Sequence, residues 1–286
     1  MRASSQPSGR RTTPPVAEAR SLYAGGMDPT LRPVGQLRVR VHQWASGLDP
    51  DDNRARLAEL EPGADLVVLP EAFARDFGQA GSDVSAYAEP IDGPFARAVT
   101  KAAEATSATV VAGMFEVADD PERPFNTLVA GGPDPATYRK IHLYDSFGHR
   151  ESDRLTGGPL EPVVVDVGGW QVGLMTCYDL RFPELARRLV DAGAEVLVVP
   201  AAWLPGDRKV AHWRTLLAAR AIENTCFVVG AGQPEPRYVG HSAVIGPLGD
   251  VLAEADGAEQ VIDAVLDRAD LDEARRTNPS LANRRL

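Results

Sequence analysis

From residue 37 onward the sequence predicts an α/β fold of mixed sheets flanked by helices. Three observations carry that reading. Short apolar runs alternate with helical patterns early in the chain. Pairs of strand-like runs around glycine- and proline-rich turns come between them. The chain has 286 residues, 44% of them hydrophobic, enough for one large domain or two ordinary ones.

The elements follow in order. Residues 37–44 alternate apolar and polar and read as a strand. Pro50-Asp51-Asp52 opens a helix through Leu60, because proline suits the first helical turn and acids suit its positive end. Residues 65–69 form a buried strand. Asp92-Gly93-Pro94 opens a helix through about Ala105, and 109–115 returns as a strand. Residues 126–130 and 137–140 pair around Gly131-Gly132-Pro133-Asp134-Pro135, and 162–167 pairs with 170–176 around Gly168-Gly169. A helix over 182–191 leads to a strand at 195–199. Residues 208–223 give the longest helical pattern, and strands at 225–231, 242–246, 250–254 and 260–266 complete the set. No internal repeat or linker is visible after Gly35. Gly230-Ala231-Gly232 lacks the longer dinucleotide spacing, so no cofactor is expected.

Residues 1–35 differ in kind. They are rich in Ser, Pro, Gly and Arg, show no apolar periodicity, and are expected to be a disordered extension to a domain at 36–286. Arg10-Arg11 is followed by no apolar segment of the export-signal type, and Met27 is a second candidate start. The formal net charge of −10 argues against nucleic-acid backbones and anionic membranes as partners. Two cysteines, Cys177 and Cys226, give neither a disulfide framework nor a zinc cluster, so no metal is expected. A working free thiol suits the cytoplasm. No apolar run approaches the roughly 20 residues that span a bilayer.

Cys177 is the most informative residue. It ends the apolar run Trp170-Gln171-Val172-Gly173-Leu174-Met175-Thr176 and precedes Tyr178-Asp179-Leu180-Arg181-Phe182-Pro183-Glu184-Leu185, a turn opening a helix. A thiol held on such a turn, close to backbone N–H groups, meets conditions that can lower its pKa and make it a nucleophile. A lone cysteine is more often a small buried apolar residue, so the company it keeps decides. Leu66-Val67-Val68-Leu69-Pro70 delivers Glu71 at a strand's C-terminal end, where α/β sheets form ligand sites. Tyr138-Arg139-Lys140-Ile141-His142-Leu143-Tyr144-Asp145 delivers Lys140, and Glu151 follows. Alone, each charged residue reads as a solvated turn or edge charge. Cys226, in Thr225-Cys226-Phe227-Val228-Val229, reads as core.

These three motifs, in this order, resemble the signature of the nitrilase superfamily, the carbon–nitrogen hydrolases, from about Leu37 to about Leu271. The later segments Ala211-His212-Trp213, Arg220-Ala221-Ile222-Glu223-Asn224 and Gly240-His241-Ser242 resemble the branch acting on ω-amides and deaminated glutathione. The resemblance implies a four-layer α-β-β-α sandwich and a homodimer or larger homo-oligomer. It also implies an amidase that releases ammonia from a small carboxylate-bearing amide through a thioester. A nitrilase, an N-carbamoyl amine or amino-acid hydrolase, and a silent scaffold are the alternatives.

In this chemistry Cys177 is the nucleophile, Glu71 the general base, Lys140 the oxyanion stabiliser, and Glu151 the residue that orients Lys140. Tyr178, through its N–H, with Arg181, Ala202 and Trp203, is assigned to oxyanion or substrate binding. Arg181 either clamps a substrate carboxylate or pairs with a neighbouring acid. Trp203 either narrows the pocket or belongs to the core. His142, His212, Trp213 and His241 read as packing residues. The short segment from Asp145 to Glu151 and the charged loop Leu204-Pro205-Gly206-Asp207-Arg208-Lys209 depart from the relatives and are expected to reshape the entrance. The brief C-terminus after Asn278 is a third departure.

Overall fold

The structure, a computed structural model, describes residues 35–79 and 81–285. The expected disorder of 1–35 therefore falls, but for Gly35, outside the described residues.

Along the chain come β1 (Gln36–Gln43), α1 (Pro50–Arg56), β2 (Leu66–Val68), α2 (Pro94–Thr106), β3 (Thr109–Glu116), β4 (Phe125–Gly131) and β5 (Ala136–Arg139). A ribbon of β6 (Asp145–Ser146) and β7 (His149–Arg150) follows. Next are β8 (Val164–Val167), β9 (Trp170–Leu174), α3 (Pro183–Asp191), β10 (Val196–Ala201) and α4 (Lys209–Asn224). The chain closes with β11 (Phe227–Gly232), β12 (Ala243–Ile245), β13 (Val251–Glu254), β14 (Gln260–Asp267) and α5 (Arg268–Thr277). One six-stranded sheet has the order β14-β1-β2-β3-β4-β5, the other β13-β12-β11-β10-β9-β8.

The period-two alternation of strands explains the layering. In β2 and just after it, Leu66 and Val68 face the second sheet, while Val67 and Leu69 pack under α2 with Phe95, Val99 and Ala102. β3 divides the same way: Val111 faces the other sheet, and Val110, Ala112 and Met114 face the helix. On the far side α3 and α4 cover the second sheet through Leu185, Leu189, Trp213 and Leu217. The result is the expected four-layer α-β-β-α sandwich. Central strands buried on both faces read as continuous apolar runs, which is why they were legible.

The helix starts follow local chemistry. Asp49 accepts the Asp51 N–H at 2.9 Å with Pro50 in the first turn. Pro94 and Pro183 open α2 and α3. Three details differ from the sequence expectations. The first helix tightens into a 3-10 turn at Leu57–Glu59. The turn at Cys177 is a 3-10 segment, Cys177–Arg181, before α3 begins. The C-terminus holds α5, whose core face is only Leu271 and Ala274 amid charge, too thin a stripe to show as periodicity. Among the described residues no helix is long and apolar enough to cross a membrane.

Candidate active site

Glu71, Lys140, Glu151 and Cys177 come from different elements and line one cavity of about 600 Å³. Leu69 and Pro70 carry the chain past β2 to Glu71, which is 1% exposed. Ala72 then takes a left-handed φ of +53° and turns the backbone against Gly113 of β3. A Cβ on Gly113 would stand 2.5 Å from the Ala72 nitrogen, so this close approach needs glycine. The Glu71 carboxylate accepts Asn126 Nδ2 at 2.7 Å and Lys140 Nζ at 2.9 Å on Oε1, and the Ala202 N–H at 2.7 Å on Oε2. Three donors offset the cost of burying it.

Lys140 follows β5 and is 2% exposed. Its ammonium meets Glu151 at 3.0 and 2.9 Å as well as Glu71. Burial alone would pull its pKa down. The charges of Glu151, Glu71 and Cys177 outweigh it and hold the pKa well above the ordinary lysine value. Glu151 opens a 3-10 turn and also accepts the Tyr144 N–H at 2.6 Å. Burial raises its pKa first, opposed by Lys140 and reinforced by Glu71.

Cys177 stands at the end of the β9 segment with φ +47°, a strained left-handed conformation for a side chain other than glycine. It is 7% exposed. The expectation of a lowered pKa is corrected here. Burial, then the Glu71 charge, push the thiol well above the ordinary value, against the pull of Lys140. Burial and the facing Glu71 charge both favour the protonated thiol at rest. The elbow is held by Asp179, fully buried, which accepts the Thr176 N–H at 2.9 Å and the Tyr138 hydroxyl at 2.6 Å.

Tyr178, Ala202 and Trp203 line the cavity, but Arg181 does not. The Ala202 N–H is committed to Glu71, so Ala202 holds the base and has no N–H left for an oxyanion. Trp203 is 4% exposed and donates Nε1–H to the Lys209 carbonyl at 3.1 Å, so it is both wall and core. Arg181 has no acid partner among the described residues; its guanidinium lies over the Trp203 ring. His142 stacks on Phe182 at 3.8 Å between centroids, away from the cavity. Cys226 is fully buried, and burial pushes its thiol up to about 12. Both segments contribute to the cavity wall: Gly148, His149 and Arg150 of the ribbon, and Leu204 and Lys209 of the charged loop, line it.

Sequence reasoning missed Asn126, Tyr144, Asp179, Lys209 and Tyr238. Asn126, polar and fully buried inside a strand, carries a signal by that position alone. Asp179 carries one as the third residue of a tight turn after Thr176. Lys209, Tyr144 and Tyr238 meet the cavity only through the tertiary fold. Among the described residues no cluster of three or more His, Cys, Asp or Glu is placed to hold a metal.

Comparison with known proteins agrees with this geometry. Residues 38–276 match the family model of the carbon-nitrogen hydrolases. The chain is 41% identical over 228 residues to the deaminated glutathione amidase of Escherichia coli O157:H7, covering 79% of this chain and 86% of that one. It is 36% identical over 253 residues to the 2-oxoglutaramate amidase of Paenarthrobacter nicotinovorans, covering 82% and 84%. The crystal structure of XC1258 from Xanthomonas campestris, a CN-hydrolase superfamily protein with an arsenic adduct in its active site, superposes with a TM-score of 0.78. It is 30% identical and spans 88% of this chain and 98% of that one. The chain belongs to the carbon–nitrogen hydrolase family, and it is a hydrolase of carbon–nitrogen bonds.

Proposed function

We propose that the protein is a cysteine-dependent amidase acting on a small carboxylate-bearing amide, in the manner of deaminated glutathione or the ω-amide of a keto acid. One observation carries this reading: Cys177, Glu71 and Lys140 converge on one cavity, with the Lys140 ammonium donating to Glu71 at 2.9 Å. Glu71 takes the thiol proton as sulfur attacks the amide carbon. The Lys140 ammonium and the Tyr178 N–H stabilise the oxyanion. Glu71 then protonates the leaving nitrogen, the C–N bond breaks, and a thioester remains. Water, deprotonated by Glu71, attacks the thioester, and the proton returns to sulfur as the acid departs. A primary amide releases ammonia; an N-substituted amide releases the amine of its other half.

The working protein is a cytoplasmic homodimer in this proposal, with α3 and α4 near the interface. Exposed Ile222 on α4 lies against Gly249, and exposed Leu248, Val251 and Leu252 near that glycine in sequence support an apolar contact there. Light scattering at micromolar concentration tests it, and a lone species of 30.6 kDa overturns it.

The activity test is an amine-release screen of the purified protein, with Cys177→Ala as control. Its substrates are keto-acid ω-amides, deaminated glutathione, carbamoyl amino acids and simple nitriles. Release from the first two supports the proposal. Turnover of nitriles or carbamoyl compounds alone moves the assignment to those hydrolases. No release from any of them favours a scaffold.

A further inference from the structure

Two cations share one aromatic box beside the thiol, and among the described residues neither forms an ion pair with an acid. Lys209 is the first residue of α4 and is 6% exposed. Its Nζ donates to the Tyr144 hydroxyl at 2.9 Å. It stands 4.2 Å from the Phe147 ring centroid and 5.8 Å from that of Trp203. Arg181 uses the same two rings, with its guanidinium 4.9 Å from Trp203 and 5.8 Å from Phe147. The Arg181 Nε is buried without a hydrogen-bond partner.

Buried charges are ordinarily paired, because an unpaired one loses its hydration without return. Aromatic faces recover part of that cost for a cation, but they do nothing for the repulsion between two. That repulsion is felt: burial first, then the Arg181 charge, pull the Lys209 pKa down, and only Cys177 opposes them. Helix α4 adds to the same field. It begins with no acid in its first turn and no side-chain cap. The arrangement is short of one negative charge, and Lys209, unlike Arg181, faces the cavity that holds Cys177.

We propose that Lys209 binds a carboxylate on the acyl half of the substrate, with Arg181 as a second cation behind it. This rests on the amidase reading and names the residue that selects the substrate. The acyl half follows from the order of the chemistry. The amine leaves first and must reach solvent past the exposed rim at Arg150 and Arg154. The acyl group stays on sulfur while water enters, so the buried end of the cavity is where it is held. The assignment moves the carboxylate contact expected of Arg181 onto a residue from the charged loop.

The test compares kcat/KM for glutaramate with that for its uncharged analogue pentanamide, in wild type, Lys209→Met and Lys209→Arg. The glutaramate-to-pentanamide ratio is expected to fall about 10- to 100-fold in Lys209→Met, mainly through KM, because a charge-assisted bond is lost. Lys209→Arg restores much of it. A second readout needs no turnover: glutarate should protect Cys177 from iodoacetamide in wild type, and Lys209→Met should weaken that protection. An unchanged ratio overturns the proposal and leaves the amidase reading standing. If wild type hydrolyses no amide, the amidase reading falls and protection decides: loss in Lys209→Met sustains the anion site, equal protection overturns it.

Discussion

The backbone N–H and the ring Nδ1 of His142 converge on one oxygen of Asp179, at 3.0 and 2.7 Å. The other oxygen takes the Tyr138 hydroxyl and the Thr176 N–H. Lys140 lies between Tyr138 and His142, and Cys177 follows Thr176. Asp179 thus sets the separation of cation and nucleophile without touching either reacting atom. Asp179→Asn turns an NH₂ toward groups that are themselves donors. We expect a loss of about 1–3 kcal/mol in stability, and a fall in kcat larger than any rise in KM. The rate of Cys177 alkylation by iodoacetamide should fall in parallel. Stability loss with unchanged kcat and alkylation would make Asp179 a fold residue only.

The two cysteines should behave oppositely. Cys177 lines the cavity against its base, whereas Cys226 is sealed in the core with its thiol pushed up to about 12. Cys177→Ala should abolish turnover with the fold intact by circular dichroism, and Cys226→Ala should keep most activity. Mass spectrometry after brief iodoacetamide treatment should find the label on Cys177. Near-native turnover by Cys177→Ala would end the thioester mechanism.

Of the candidate catalytic residues, Glu71 and Cys177 were legible because each closes a short apolar run, and Lys140 because it ends a strand-like segment. Glu151 was legible only through resemblance, since it opens a turn with no periodic pattern. What stayed hidden depends on distance in the chain. Ala202 reaches Glu71 across 131 residues of sequence, and Lys209 reaches Tyr144 across 65. No local pattern encodes such pairings. The cysteine pKa was misjudged for a related reason: the turn geometry was visible, but the depth of burial and the facing Glu71 were not.

Gly113 tests how tightly Glu71 is placed. In Gly113→Ala the new methyl meets backbone, the Ala72 nitrogen, which cannot rotate aside. Overpacking of this kind costs about 1–3 kcal/mol, and it should displace Glu71 from the thiol. We expect a lower urea midpoint together with at least a tenfold drop in kcat. A stable, fully active Gly113→Ala would show that the Ala72 turn tolerates displacement.

Lys140→Met removes the ammonium and leaves Glu71 facing Glu151. Loss of one oxyanion donor typically lowers kcat about 100- to 1000-fold, and Glu151, whose pKa burial already raises against the pull of Lys140, should rise further. A rate loss of less than tenfold would mean that the oxyanion is held mainly by backbone N–H groups.

His42 gives a pH dependence of stability with a definite sign. It is 4% exposed, both ring nitrogens are buried without partners, and its ring lies 4.2 Å from that of Trp44. Burial, then the charges of Arg40 and Arg56, lower its pKa from 6.5 to about 4, with Asp263 opposing. In the unfolded chain the same ring takes a proton near 6.5. Between about 4 and 6.5 the unfolded state therefore binds more protons, and stability rises with pH. The contribution is whole above that window and drains as pH falls through it, a loss of roughly 3 kcal/mol in total. His42→Leu keeps an apolar side chain there and removes the titration. The urea midpoint of wild type should fall more between about pH 7 and about pH 4.5 than that of His42→Leu, since the carboxylates are common to both. Equal falls would mean that the ring finds water or a partner once it is protonated.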